Sequence, residues 1–239
     1  MLRFALLAAL IQAGIMVGLT AADTLFLSRV GFDKIPYVFM ATPFVMLAYV
    51  PAFAFLISRF GTPRTLSMTL AALVLGGVAL FAWIPAVPPD DGGGFGLVYY
   101  VARLYGDLWY IALYSLFWNF TDTFFDIQDA KRLFPIFTAG SAAGAMAGGG
   151  LVVLVSQVVG LEAGYLVWSG IALATLPVVA DIVRRYEILE ESEVEVETGL
   201  WEQLRETGAA LSRSHFVLLL VTALVAVVLL SSINEYEYL

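Results

Sequence analysis

Cysteine is absent from the 239 residues, which excludes disulfides, thiolate metal sites and thiol nucleophiles while leaving the compartment open. Histidine occurs once, as His215, so no histidine cluster is available for a metal and no second histidine accompanies a catalytic triad. Charge is scarce as well: 13% of residues are charged, against roughly 25% in a soluble domain. The formal charge of −8 is a local matter, because Glu187, Glu190, Glu191, Glu193, Glu195 and Glu197 crowd into one run. That placement argues against a nucleic-acid partner. What fills the chain instead is apolar sequence, 61% of the residues, with a mean hydropathy of +0.88. Such a composition belongs to an integral membrane protein.

Seven apolar runs are long enough to cross the hydrocarbon at about 1.5 Å per helical residue: 4–26, 35–57, 65–87, 97–121, 134–159, 163–183 and 216–233. Arg3, the first run and the pair Ala21 and Ala22 imitate a signal peptide. The run exceeds the usual apolar core of a signal and further spans follow, so it is read as a membrane helix. Pro36, Pro43 and Pro51 predict kinks in the second span. The cluster PPDDGGGFG after the third is a turn; it has neither the preceding strand nor the lysine of a phosphate-binding loop. In the fifth span Gly140, Gly144 and Gly148 recur every four residues beside Ala139, Ala143 and Ala147. This small-residue ladder permits close helix approach, and packing inside the bundle is favoured over dimerisation because a multispan bundle has many internal interfaces. After the sixth span the acidic run leads into LWEQLRETGAALSRS, where Leu200, Trp201, Leu204 and Leu211 share a broad face, as in an interfacial helix. The expected organisation is a six-helix unit over 1–185, an acidic cytoplasmic linker with an interfacial helix over 186–213, and a seventh helix over 214–239. The fold class is all-α, a polytopic membrane helix bundle.

The fourth span carries a polar stripe where hydrocarbon is expected. From Arg103, the positions Asp107, Tyr110, Tyr114 and Trp118 follow at i+4, i+7, i+11 and i+15, so all five project from one helical face. An ionisable pair inside a span faces a bundle interior or a watery cavity. Gln12, Met16, Leu19 and Asp23 form a thinner stripe on the first span. Arg103, Asp107, Tyr110, Tyr114, Gln12 and Asp23 are therefore candidates to line a substrate cavity. Most have a plainer alternative: Arg103, roughly 9 Å from its helix end, is within snorkelling reach, Asp107 can be merely the structural partner of Arg103, Asp23 can be solvated at the interface or contact Arg29, and the tyrosines can serve packing alone.

Basic residues sort by alternate loops. Arg3, Arg59, Arg64, Lys131, Arg132, Arg184, Arg185, Arg205 and Arg213 fall on one side, against Arg29, Lys34 and Arg103 on the other. The excess places the N-terminus in the cytoplasm of a cell inner or plasma membrane, and anchoring alone accounts for Lys131 and Arg132. No metal site, cofactor or enzyme constellation emerges.

Six spans, a long cytoplasmic segment and a further span resemble the N-terminal half of a major facilitator transporter with the first helix of its second half. In FLISRFGTPRTL, Arg59, Gly61 and Arg64 resemble that superfamily's loop between its second and third helices, although Ser58 stands where an acidic residue is expected. In FWNFTDTFFDIQDAKRLFPIFTAGSAAGAMAGG, the residues Phe117, Trp118, Asp122, Ala130-Lys131-Arg132, Phe134 and the glycine ladder resemble the ATP/ADP translocase branch of plastids and bacteria. The resemblance implies a secondary transporter with alternating access around a cavity lined by the first and fourth helices of each half, with a small solute as substrate, a nucleotide exchanged as ATP for ADP in that branch. It also implies a C-terminal half or second chain as partner, and that the polypeptide is incomplete as given. A seven-span receptor or scaffold is the alternative, disfavoured by the expected cytoplasmic N-terminus.

Overall fold

The computed structural model describes residues 1–87, 96–125 and 127–188, together with positions 219 and 222. The expected interfacial helix, the linker beyond position 188 and, apart from positions 219 and 222, the expected seventh span lie outside the described residues. Within them the chain forms six long helices: α1 Leu2–Arg29, α2 Ile35–Phe60, α3 Thr62–Trp83, α4 Leu97–Asp122, α5 Ile127–Val158 and α6 Ala163–Arg185. No strand occurs among the described residues. Pro36 sits in the first turn of α2, where its missing N–H costs nothing, while Pro43 and Pro51 lie inside the helix.

Five of the described helices are long and apolar enough to cross a membrane. The protein is a polytopic membrane bundle. α4 falls outside that set although its 26 residues suffice in length, because Arg103, Asp107 and its many tyrosines dilute the apolar run. α5 departs from its expected start at Phe134. It begins at Ile127, since Gln, Ala, Lys and Arg are good helix formers and carry the helix past the end of the apolar segment.

α1 is the centre of the bundle, with packed faces toward α4, α5 and α6. Hydrocarbon offers no hydrophobic drive between helices, so contact depends on small residues that let backbones approach. On α5, a Cβ added to Gly140, Gly144 or Gly148 would lie 2.6, 2.1 or 2.4 Å from the carbonyl oxygen of Ala5, Ala9 or Ala13. The constant offset means that α1 and α5 run parallel and in register. On its other side α1 offers Gly14 and Gly18 to the Trp168 ring of α6, and a Cβ on Gly18 would fall 2.0 Å from Trp168 Cε3.

Ion pairs tie α1 to α6 near both ends. Arg3 Nε is 2.8 Å from Asp181 Oδ2, and Arg29 Nη2 is 3.2 Å from Glu162 Oε1. At the end that holds the N-terminus, Phe4 sits among Phe120, Phe124, Phe125, Phe137 and Tyr186, with ring centroids 4.8–6.2 Å away. α2 contrasts with this. Only Ile35 and Val38 of α2 are buried, and Tyr37, Met40, Phe44, Leu47 and Val50 are exposed.

Candidate functional site

α4 approaches α1 at Gly106, where an added Cβ would stand 3.1 Å from the Ala22 Cβ. The missing side chain brings Arg103, one turn earlier on α4, opposite Asp23. Arg103 is 7% exposed, and its Nε lies 2.6 Å from Asp23 Oδ1. Its Nη1 also pairs with Asp107 Oδ1, one turn along its own helix. The second Asp107 oxygen, Oδ2, accepts a hydrogen bond from Thr42 Oγ1 of α2 at 3.2 Å. Tyr165 of α6 donates its hydroxyl to the Ala102 carbonyl at 3.1 Å, which pins the backbone beside Arg103.

Three helices thus share one ionic cluster. The fork geometry of Arg suits it to bridge both carboxylates. The Arg103 head does not snorkel to the helix end, being turned inward to α1, and Asp23 takes Arg103 as its partner while Arg29 reaches Glu162.

Farther along the same seam, α1 and α4 remain antiparallel partners, so that Gln12 comes level with Tyr114 and Ala8 with Trp118. A cavity of about 330 Å³ opens there between α1, α4 and α5. Gln12, Tyr114, Phe117, Trp118, Thr138 and Ser141 are among its lining residues. The aromatic rings step along α4, with Tyr110 and Tyr114 centroids 6.2 Å apart and Tyr114 and Trp118 6.3 Å apart. Tyr110 and Tyr114 are 40% and 50% exposed, so the stripe passes from buried charge to accessible ring along one helix.

The candidates from sequence therefore separate into two groups. Asp23, Arg103 and Asp107 meet directly. Gln12 and Tyr114 meet at the cavity, and Tyr110 lies between the two levels. Arg59, Arg64, Lys131 and Arg132 are exposed at the far end of the bundle and join neither group. Thr42, Thr138 and Ser141 went unnoticed in the sequence. Thr42 had one available signal, a hydroxyl directly before a mid-span proline; Thr138 and Ser141, three residues apart beside the glycine ladder, had another.

A buried ionic cluster and a polar-lined cavity within helices of membrane length define a multi-pass membrane protein with a polar interior. The class becomes specific on comparison: the chain belongs to the family described as TLC ATP/ADP transporter, whose model matches residues 23–183, well over half its length. The family is one of membrane nucleotide transporters and not of enzymes, which sets aside the receptor or scaffold alternative. No curated protein and no solved structure matches the chain.

Proposed function

We propose that the protein is a secondary transporter that exchanges nucleotides, ATP against ADP, by alternating access of the major facilitator kind. Residues 1–185 are its N-terminal half, 186–213 the cytoplasmic linker, and 214–239 the seventh helix, which opens a second half. That second half, or a partner chain, completes the cavity in a cell inner or plasma membrane, with the N-terminus in the cytoplasm. The observation that carries this reading is Arg103, buried between Asp23 and Asp107 at the meeting of α1, α2 and α4. Guanidinium binds phosphate and carboxylate with the same bidentate geometry. A substrate phosphate that reaches Arg103 displaces one carboxylate, and the released Asp107 pulls on Thr42 and hence on α2. Substrate occupancy is thereby coupled to helix position, as population shift requires. One guanidinium does not neutralise a polyphosphate, so the remaining cationic groups come from elsewhere in the completed cavity.

The test is exchange of labelled ATP for ADP in cells or proteoliposomes containing the full-length transporter. Asp107→Asn and Arg103→Gln are each expected to lower exchange per transporter molecule in the membrane at least about tenfold, the worth of one charge-assisted hydrogen bond. Full exchange by both variants would remove the ionic cluster from the mechanism.

A further inference from the structure

The cavity between α1, α4 and α5 differs chemically from the Arg103 cluster. Among the described residues, no charged side chain lines it. Its walls combine the Tyr114 and Trp118 rings with the Gln12 amide and the hydroxyls of Tyr114, Thr138 and Ser141. Among the described residues, none of those amide and hydroxyl groups makes a hydrogen bond within the protein, although other span hydroxyls, such as Thr121, Ser169 and Thr175, bond to a carbonyl one turn back. Lipid cannot satisfy them. Amide and hydroxyl groups left over beside flat aromatic faces match a planar, uncharged ring with donors and acceptors on its edge. The volume of about 330 Å³ is at the small end of ligand pockets, suited to a base or nucleoside rather than a larger solute.

We infer that this cavity is a nucleobase subsite, in which Gln12, Thr138 and Ser141 meet the edge of the base and Tyr114 and Trp118 its face. The assignment rests on the nucleotide reading given above. Tyr114 is roughly 16 Å along α4 from Arg103, so the base and the phosphates of one nucleotide address different levels of the same α1–α4 seam. Recognition of the base is then independent of the ionic cluster. The small residues of α5 acquire a second role here: Ala142 and Ala145 leave room on the cavity side of a helix whose glycines seat it against α1.

Binding of adenosine and of ATP to the purified full-length transporter, titrated into the millimolar range, tests this. Adenosine, which has no phosphate, should bind the parent protein. Gln12→Leu and Tyr114→Leu should weaken adenosine and ATP alike by about tenfold, the cost of a lost hydrogen bond or stacking face. Arg103→Gln should weaken ATP and leave adenosine unchanged. Ser141→Ala, which removes a single oxygen, supplies a mild variant in case the larger changes unfold the protein, and it should lower both affinities measurably at an unchanged Tm. Equal ATP affinity in parent, Gln12→Leu and Ser141→Ala proteins overturns the subsite while sparing nucleotide transport. Adenosine binding that is sensitive to these variants, without ATP binding, supports the subsite and overturns ATP/ADP exchange. Failure of both ligands to bind the parent overturns both.

Discussion

At the scale of the residue, Arg103 decides whether two carboxylates can share the interior. Removal of a partner from a buried ion pair costs about 3–5 kcal/mol, and the one-third exposure of Asp23 lowers that figure here. Arg103→Gln is expected to destabilise the protein by roughly 2–3 kcal/mol, read as a fall in Tm in detergent. Adding Asp23→Asn removes one of the two stranded charges and should recover part of the loss. A double variant less stable than Arg103→Gln alone would mean that Asp23 draws its support from another group. The pairing itself was only half visible in the sequence. Helical spacing put Asp107 beside Arg103, because both lie on one element. The choice of Asp23 between Arg29 and Arg103 depended on the approach at Gly106, which no periodicity encodes.

At the scale of the element, the α1–α5 seam brings backbone against backbone at three successive turns. Gly144→Leu pushes a side chain into the Ala9 carbonyl, 2.1 Å from the new Cβ, and backbone cannot yield as a flexible side chain does. Its expected outcome is loss of monodisperse protein on size-exclusion chromatography. Gly149→Ala, one position beyond the ladder with open space around it, should elute as the parent does. Equal behaviour of the two would show that the seam is not needed for folding. The ladder was legible in the sequence because small residues every four positions mark a face on which something comes close. The identity of the partner went unread, although Ala5, Ala9 and Ala13 of α1 repeat at the same four-residue spacing, because small residues mark a close approach without saying which helix makes it. The same limit hid the start of α5: hydrophobicity marks where hydrocarbon begins, and the helix began earlier in polar sequence.

At the scale of the whole molecule, basic residues concentrate where the N-terminus and the α2–α3, α4–α5 and α6 ends gather. The absence of cysteine from these 239 residues makes the orientation directly measurable, because an introduced thiol has no competing target among them. With the N-terminus in the cytoplasm, Ser58→Cys should react with a membrane-impermeant maleimide only after permeabilisation, and Asp33→Cys in intact cells. Both sites are exposed. The reverse pattern would invert the topology. The central place of α1 has a consequence for how the protein is made. Helix α1 is synthesised before both its charge partner, Arg103 on α4, and its glycine-seated neighbour, α5. Until α4 and α5 have followed it, the surfaces of α1 that receive Arg103 and the α5 glycines are not yet covered by them, so a helix made before its neighbours reaches its final surroundings only after they do.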